Sequence, residues 1–486
     1  MPVDTREPVN QPLIEQRSID YIPEVERHGR LGSQFSLWLS ANLQITAIVT
    51  GALAVVLGGD VFWSLVGLLI GQLLGGAVMA LHAAQGPRLG LPQMISSRVQ
   101  FGVYGAVIPL VLVCLMYIGF SASGSVLAGQ AIAQLTGLAD WQGIGLFAAI
   151  IVLFTVFGYR VIHLVGRIAS VLGVLAFAYL FYALLAGNDM SALLANRHFS
   201  LSSFLLAVSL SASWQIAFGP YVADYSRYLP RNTSAAGTFW AVGLGSVIGA
   251  QAAMVFGVFA AALAGKGFAH HEVAFIVGLG GTGVVAALLY FSIAFGKLTI
   301  TILNAYGSFM SVATIVTGLS GQRRISPTVR TLCILCMVLV STSLALLGKD
   351  SFLKDFSAFI LFLLAFFTPW SAINLVDYYA ISQERYDLPA LNDPQGRYGA
   401  WNVLGITVYV LGVLIQMPFI ATHFYTGPLV AHLGDTDISW IIGLVVPAVV
   451  YYWAARRWPR PVPAQLILPA DARDETDQQL GGVGVV

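Results

Sequence analysis

A stretch near the middle of the chain, residues 209–228, decides which kind of fold the sequence encodes. It reads SLSASWQIAFGPYVADYSRY, an apolar segment with Gly219-Pro220 in its second half. Proline removes a backbone donor and blocks the hydrogen bond to the carbonyl one turn earlier, so this pair predicts an interrupted helix. Interrupted membrane helices form substrate and ion sites in secondary transporters. A simple proline kink, which membrane helices also tolerate, is the alternative.

The composition around this stretch is that of an integral membrane protein. The 486 residues are 57% apolar and only 10% charged, and the mean hydropathy is +0.79. In a soluble domain about a quarter of the residues are charged. Apolar blocks close to the length that a helix needs to cross a membrane recur along the chain. We therefore predict an all-α polytopic membrane protein with twelve transmembrane helices, called spans 1 to 12, at 34–58, 61–84, 105–132, 143–159, 164–186, 201–223, 236–264, 284–309, 331–348, 356–380, 401–424 and 438–455.

The basic residues orient these spans. If the N-terminus is cytoplasmic, 19 of the 24 lysines and arginines lie inside, four (Arg197, Lys266, Lys349 and Lys354) lie outside, and Lys297 lies within span 8. This bias follows the positive-inside rule. We expect a multi-pass protein of the cell (plasma or inner) membrane with both termini in the cytoplasm. The polar segments 1–33 and 456–486 are then cytoplasmic tails, and no cleavable signal peptide is expected.

Polar residues within span 1 indicate a second interruption. Ser40, Asn42, Gln44 and Thr46 lie inside its apolar sequence. Spans 1 and 6 are five apart, so each would begin a five-helix repeat, at 34–186 and at 201–380. Spans 11 and 12 (401–455) would then be two extra helices. We predict two inverted five-helix repeats with broken spans 1 and 6, on the evidence of the polar and broken segments alone.

Several classes of function are disfavoured by the sequence. No predicted span carries a paired acid, a histidine cluster or a nucleophile with a base, so we do not expect an intramembrane enzyme. The loops and tails are too short for a sensor with a sizeable output domain. The net charge of +1 gives no indication of a nucleic-acid partner. No metal, cofactor or obligate protein partner is expected. Among the classes of function considered, the sequence favours a transporter in the lipid bilayer.

Amide side chains within the spans are the candidates for binding a substrate, because a buried amide needs a hydrogen-bonding partner that a ligand can supply. Gln44, Gln215 and Asn304 lie in spans 1, 6 and 8, each near an aromatic residue. Amides and flat aromatic faces suit a planar, neutral, hydrogen-bonding solute. Glutamines without polar neighbours are assigned to contacts between helices, and these are Gln72, Gln251 and Gln416.

Four longer stretches carry a resemblance to a known family. They read IDYIPEVERHGRLGSQFSLWLSANLQ (19–44), GPRLGLPQMISSRVQFG (86–102), PYVADYSRYLP (220–230) and FFTPWSAINLVDYY (366–379). The chain resembles, over nearly its whole length, the nucleobase–cation symporters of the purine–cytosine permease branch. The resemblance implies a twelve-helix fold with five-plus-five inverted repeats. It also implies import of nucleobases or related ureides, driven by sodium or protons.

The resemblance further implies which residues bind the substrate. They are Gln44 in span 1, Tyr117 and Ser121 in span 3, Trp214 or Gln215 in span 6, and Asn304 in span 8. Tyr117 stands where a tryptophan is usual in the family, and Ser121 where a glutamine can occur. Because of these differences the base stays open. A transporter of another class of small solute, an amino acid or a vitamin, on the same fold is the alternative.

A lysine in span 8 is relevant to which ion drives transport. Lys297 lies about 12 residues into the span, or about 18 Å at 1.5 Å per residue, and a lysine at such a depth is a functional candidate. In sodium-coupled relatives span 8 supplies hydroxyl ligands near this position, and Thr299 matches best, with Thr301 second. We expect the Lys297 ammonium to lie at or near the sodium position and to replace the ion. A structural cation bonded to carbonyls of a broken helix, or a conventional sodium site at Thr299, is the alternative.

Overall fold

The computed structural model describes residues 20–157, 159–321 and 326–469, which form helices and only isolated β-bridges. The predicted tails therefore lie partly outside the described residues, as do Arg323 and Arg324. The α-helices are α1 (Leu31–Asn42), α2 (Ile45–Val56), α3 (Val61–Ala83), α4 (Gln85–Leu89), α5 (Gln93–Ser96), α6 (Arg98–Phe101), α7 (Val107–Thr136), α8 (Asp140–Phe157), α9 (Tyr159–Gly187), α10 (Met190–Ala195), α11 (Leu201–Ile216), α12 (Ala223–Ser226), α13 (Ala235–Ala264), α14 (Glu272–Gly280), α15 (Gly283–Ser320), α16 (Pro327–Gly348), α17 (Phe352–Leu375), α18 (Val403–Gln416) and α19 (Ser439–Arg457).

Each predicted span overlaps mainly with one helix or, for span 1, with the bent pair of α1 and α2. Among the described residues, seven helical segments are long and apolar enough to cross a membrane, and there are eight when the bent pair of α1 and α2 is included. One of the seven, Thr328–Ile381, contains both α16 and α17. Helices α8, α11 and α18 are apolar but shorter. The all-α polytopic fold is confirmed, whereas the count of twelve stays a prediction.

Local chemistry explains where many of these helices begin and end. The side chains of Asp60, Ser200, Ser234 and Ser326 accept hydrogen bonds from backbone amides in the first turns of α3, α11, α13 and α16. Such caps satisfy amides that have no partner within the helix. Helix α15 ends at Ser320, and Gly321 follows with a left-handed backbone (φ 68°) that closes the last turn.

Three predicted boundaries differ from the structure. Helix α15 continues to Ser320, well past the predicted end of span 8 at 309, because it contains no proline and its glycines Gly307 and Gly318 keep helical backbone angles up to the left-handed Gly321. Helix α18 ends at Gln416, earlier than the predicted 424, because Pro418 follows in a short 3₁₀ turn. The loop expected between spans 4 and 5 is also misplaced, since α8 reaches Phe157 and α9 begins at Tyr159.

Span 1 is broken as predicted. Helix α1 ends at Asn42 and α2 begins at Ile45, and their axes differ by 57°. Gln44 lies in the break, where its backbone is extended (φ −141°, ψ 158°) and precedes the first turn of α2. The break therefore leaves backbone groups of two helix ends, and the side chain of Gln44, in the interior of the bundle.

Span 6 is broken at the Gly-Pro pair. Helix α11 ends at Ile216, a run of turns covers residues 217–222, and the short helix α12 follows. Gly219 lies where the chain passes close to α3, because a Cβ on it would be 3.0 Å from the carbonyl oxygen of Ile216 and 3.3 Å from the ring of His82. The interruption is thus a true break and the simple kink is excluded.

The segment after α19 folds back onto the end of span 10. Helix α17 continues as a π-helix over Val376–Ile381, in which Asp377 is fully buried. Arg460 donates from Nη2 to both carboxylate oxygens of Asp377 at 2.7 Å, and Tyr451 and Tyr386 donate to the same carboxylate at 2.7 and 3.0 Å. A buried carboxylate with this many donors is a structural anchor for this face of the bundle.

Candidate substrate and cation site

Helices α7 and α15 pack directly against each other and run in opposite directions. A Cβ on Gly307 of α15 would lie 2.5 Å from the ring of Tyr117, and a Cβ on Gly124 of α7 would lie 2.6 Å from Cε of Lys297. Each glycine therefore makes room for one of the two large side chains at the crossing. The packing places the predicted stacking residue of span 3 and the lysine of span 8 in one interface.

The remaining predicted residues of these two helices lie on the same faces. Ser121 is one helical turn from Tyr117 on α7, and its side chain is fully buried. On α15, Thr301 and Asn304 follow Lys297 at spacings of four and three residues, which puts all three on one side of the helix. Asn304 is half-buried, and its amide makes no hydrogen bond within the described part of the chain.

The ammonium of Lys297 reaches the break between α1 and α2. Its Nζ lies 3.1 Å from Oε1 of Gln44 and 3.4 Å from Oγ1 of Thr46, and the residue is only 3% exposed. No carboxylate of the described residues lies within ion-pair distance of it. The positive charge is thus held by two neutral acceptors, which are side chains of the broken helix and not its backbone carbonyls.

The same contacts fix the orientation of the Gln44 amide. Oε1 accepts from Lys297 and also from the hydroxyl of Thr46 at 2.9 Å, and Nε2 donates to the carbonyl oxygen of Ala41 at 2.9 Å. An ammonium can only donate, so the amide oxygen must face the lysine. The second Nε2 hydrogen of Gln44 has no acceptor among the described residues.

The two threonines expected near the cation differ in their bonding. Thr299 donates to the carbonyl oxygen of Gly296 within its own helix at 2.8 Å. Thr301 is buried, and its hydroxyl has no hydrogen-bond partner among the described residues; the same holds for Ser121 and Ser125 of α7. A native protein leaves few buried polar atoms unpaired, so these three hydroxyls are candidates for contact with a ligand or water.

The structure separates the two candidates of span 6. Trp214 donates from Nε1 to Oδ1 of Asn42 in α1 at 2.6 Å. Gln215 is fully buried, donates to Oε1 of Gln72 in α3 and accepts from the hydroxyl of Ser246 in α13 at 2.7 Å. Its amide therefore connects three helices, and the bridging role predicted for Gln72 is confirmed. Gln215 does not share the α7–α15 interface with the other candidates.

Two aromatic residues that the sequence did not single out complete the site. Tyr221, in the break after α11, lies against Tyr117 with ring centroids 5.5 Å apart. Phe218, in the same break, packs edge-on against Trp38 of α1 at 5.2 Å and against Trp214 at 5.9 Å. Their position beside Gly219-Pro220 is the signal that could have identified them, since the break was predicted.

Comparison with known proteins agrees with this arrangement. The family model for permeases for cytosine/purines, uracil, thiamine and allantoin matches residues 21–443. The chain is 40% identical over 448 residues to YxlA of Bacillus subtilis (strain 168), which carries the name of a purine-cytosine permease, and the match covers 90% of this chain and 95% of that protein. It is 26% identical to the purine-cytosine permease fcyB of Emericella nidulans, over 90% of this chain and 87% of that protein.

A solved structure has the same fold. Mhp1 in its inward-facing conformation matches with a TM-score of 0.72 at 20% sequence identity, over 95% of this chain and 97% of that one. At this level of identity the likeness concerns the fold alone. It confirms the fold class that the sequence predicts, an all-helical membrane bundle with broken spans 1 and 6.

Proposed function

Since the chain belongs to the family of permeases for cytosine/purines, uracil, thiamine and allantoin, we propose that it is a secondary active transporter that imports a nucleobase or a related planar heterocycle. The observation that carries the proposal is that both helix breaks meet α7 and α15: Gln44 of the first break contacts Lys297 of α15, and Tyr221 of the second break contacts Tyr117 of α7, about two turns away along α7. Broken helices that surround polar and aromatic side chains form the substrate sites of such transporters.

In the proposal, different residues around this point contact the face and the polar edge of the base. The ring of Tyr117 stacks on the flat face of the base, with Tyr221 beside it. Gln44, Ser121 and Asn304 read its polar edge, since each retains unused hydrogen-bonding capacity within the described structure. Trp214 forms part of the wall through Asn42 and Phe218, and Gln215 holds α11 in place.

Transport proceeds by alternating access around this site. The two predicted repeats, 34–186 and 201–380, move against each other, and the breaks in α1–α2 and α11–α12 stay at the centre. The distribution of basic residues indicates that both termini lie on the cytoplasmic side of the cell membrane. In this proposal the protein acts without a cofactor and without an obligate protein partner.

Coupling depends on Lys297 in the proposal. Its ammonium occupies the helix break where a coupling cation would otherwise be bound, and Gln44 and Thr46 supply the acceptors. A fixed positive charge at this point replaces a bound sodium ion. If the lysine releases and regains its proton during the cycle, uptake is coupled to protons. The proposal therefore assigns no sodium ion to Thr299, whose hydroxyl is bonded to its own helix.

The proposed function is tested by uptake into proteoliposomes. The purified protein is reconstituted, and uptake of radiolabelled adenine, hypoxanthine, guanine, cytosine and uracil is compared with that of protein-free liposomes. Unlabelled bases, amino acids and vitamins are then added as competitors. Saturable uptake that only bases inhibit supports the proposal. Inhibition by an amino acid or a vitamin instead favours a different solute class on the same fold, and lack of uptake of every base contradicts the proposal.

Replacing Tyr117 by alanine is expected to weaken substrate binding. Stacking of a base on an aromatic side chain contributes about 1–3 kcal/mol, so the Kd should rise by about 5- to 150-fold. Tyr117→Phe keeps the ring and loses only the hydroxyl, so it should bind nearly as well as the parent. The Kd is measured by equilibrium binding of a labelled base to detergent-purified protein. Equal affinities of Tyr117→Ala and the parent would remove Tyr117 from the site.

A further inference from the structure

Around Lys297 the described residues leave one hydrogen-bond donor without an acceptor. An ammonium has three N–H donors, and two of them are directed at Gln44 and Thr46. No described residue accepts the third. The charge is buried, and no carboxylate of the described chain lies within ion-pair distance to compensate it. An acceptor on a bound ligand would satisfy the third N–H and stabilise the charged form of the lysine.

No described group next to the ammonium carries a charged oxygen that could accept its third N–H. Thr301 faces the same point as Lys297, because a Cβ on Gly124 would be 3.1 Å from Nζ of the lysine and 3.6 Å from Oγ1 of the threonine. The Thr301 hydroxyl has no partner among the described residues. Gln44 turns its oxygen toward the lysine, so it offers an N–H to the site.

From this imbalance we infer that the substrate presents a ring carbonyl oxygen to Lys297 and Thr301, so that the transporter selects oxo-heterocycles over their amino counterparts. The inference rests on the proposed function. An oxo group accepts from the ammonium and from the hydroxyl together. An exocyclic amino group at the same ring position donates, so it would leave the buried charge unpaired and direct its own hydrogens at another donor.

Purines provide matched pairs for the test. Hypoxanthine and adenine differ by an oxo or an amino group at one ring position and by the proton on the adjacent ring nitrogen, and xanthine and 2,6-diaminopurine differ in the same way at two positions. Each pair has nearly the same size and the same stacking face. Cytosine, which carries a ring carbonyl, falls in the preferred class. Affinities are measured by competition against a labelled base on detergent-purified full-length protein, so the test does not depend on transport activity.

The parent is expected to bind the oxo member of each pair at least about tenfold more tightly, since one hydrogen bond to a charged group is worth at least that factor. Lys297→Met should lower this ratio to near unity, mainly by weakening the oxo member. Thr299→Val is the matched control on the same helix, because its hydroxyl is bonded to Gly296 and not to the site. It should keep the ratio of the parent.

Either of two results with the parent and Lys297→Met would overturn the inference while leaving the proposed function standing. One is that the parent binds both members of each pair equally or prefers the amino member. The other is that Lys297→Met keeps the oxo preference of the parent. If Lys297→Met does not yield folded protein, Thr301→Val replaces it and should also reduce the ratio; an unchanged ratio counts against the inference. Lack of binding of every base overturns the proposed function and this inference with it.

An inorganic anion could satisfy the same donors, and the test distinguishes it from a substrate oxygen. Binding is repeated with chloride replaced by gluconate. If the donors contact the substrate, removing chloride changes neither the oxo preference nor the affinity for either member of a pair. If the oxo preference is lost when chloride is removed, the donors hold an anion and the inference is wrong.

Discussion

Lys297→Met is expected to abolish uptake while the protein stays folded. The substitution removes the ammonium that donates to Gln44 and Thr46 at the break of span 1. Each hydrogen bond to a charged group is worth about 1.5–3 kcal/mol, so we expect the initial uptake rate to fall by about a hundredfold or more. The Gln44 amide also loses the donor that fixes its orientation. The rate is measured in proteoliposomes that contain equal amounts of parent and variant.

The stability of the same variant gives an independent readout. Methionine has a similar length and no charge, and replacing a buried charge that lacks an ion-pair partner by an apolar side chain is often neutral or stabilising. We therefore expect the Tm of Lys297→Met in detergent to equal or exceed that of the parent. Thr299→Val, two residues away, should retain most of the uptake. Full uptake by Lys297→Met would contradict a role for the lysine in transport.

Gln44→Leu and Asn304→Leu are each expected to reduce uptake strongly without loss of folded protein. The leucine leaves polar atoms of the bound base without a partner, at a cost of about 1–3 kcal/mol for each such atom, which corresponds to about 5- to 150-fold in Kd. The Asn304 amide has unused hydrogen-bonding capacity among the described residues, so the empty protein should tolerate its loss, whereas Gln44→Leu also removes one acceptor from Lys297 and should lower the Tm moderately. Uptake, binding and the Tm are measured on the same preparations.

Gln215→Leu provides the contrast for this pair of variants. Its amide is bonded to Gln72 and Ser246, so leucine breaks contacts between α11, α3 and α13. We expect a lowered Tm and a reduced yield of folded protein. If Gln44→Leu and Asn304→Leu lose folded protein to the same extent as Gln215→Leu, those two residues connect helices and do not read the substrate.

The breaks in the helices could be predicted because they depend on local chemistry. Gly219-Pro220 combines a flexible residue with a missing backbone donor, and the structure breaks span 6 there, whereas Pro369 and Pro447 alone lie inside the continuing helices α17 and α19. The end of α18 shows the limit of the same approach. The apolar pattern of span 11 continues past Pro418, but the helix stops at Gln416, since hydropathy is a weaker signal for a helix end than a missing backbone donor.

The directions in which side chains point could be predicted less well than the breaks in the helices. Trp214 and Gln215 are neighbours in the sequence, but one contacts α1 and the other contacts α3 and α13. Thr299 and Thr301 are two residues apart, which turns them to different sides of α15. The rotation of each helix about its axis is set by packing against its neighbours, and it cannot be inferred from a single sequence.

The loop between spans 2 and 3 illustrates a second limit. The predicted spans 2 and 3 leave a short loop between them, near 85–102, whereas the structure folds it into the helices α4, α5 and α6 with buried glutamines. Gln85 donates to Asn374 of α17, and Gln100 donates to the hydroxyl of Tyr386. These partners are almost 290 residues away in the sequence, so the role of the amides emerges only from the tertiary structure.

Uptake in the absence of sodium tests the central claim most directly, namely that the Lys297 ammonium takes the place of a coupling sodium ion. Initial uptake of a labelled base into proteoliposomes is measured with external sodium and with choline in its place, each with and without an inward proton gradient. The account predicts the same rate in sodium and in choline, and a higher rate with the proton gradient if the lysine titrates during the cycle. Uptake that requires sodium would contradict it.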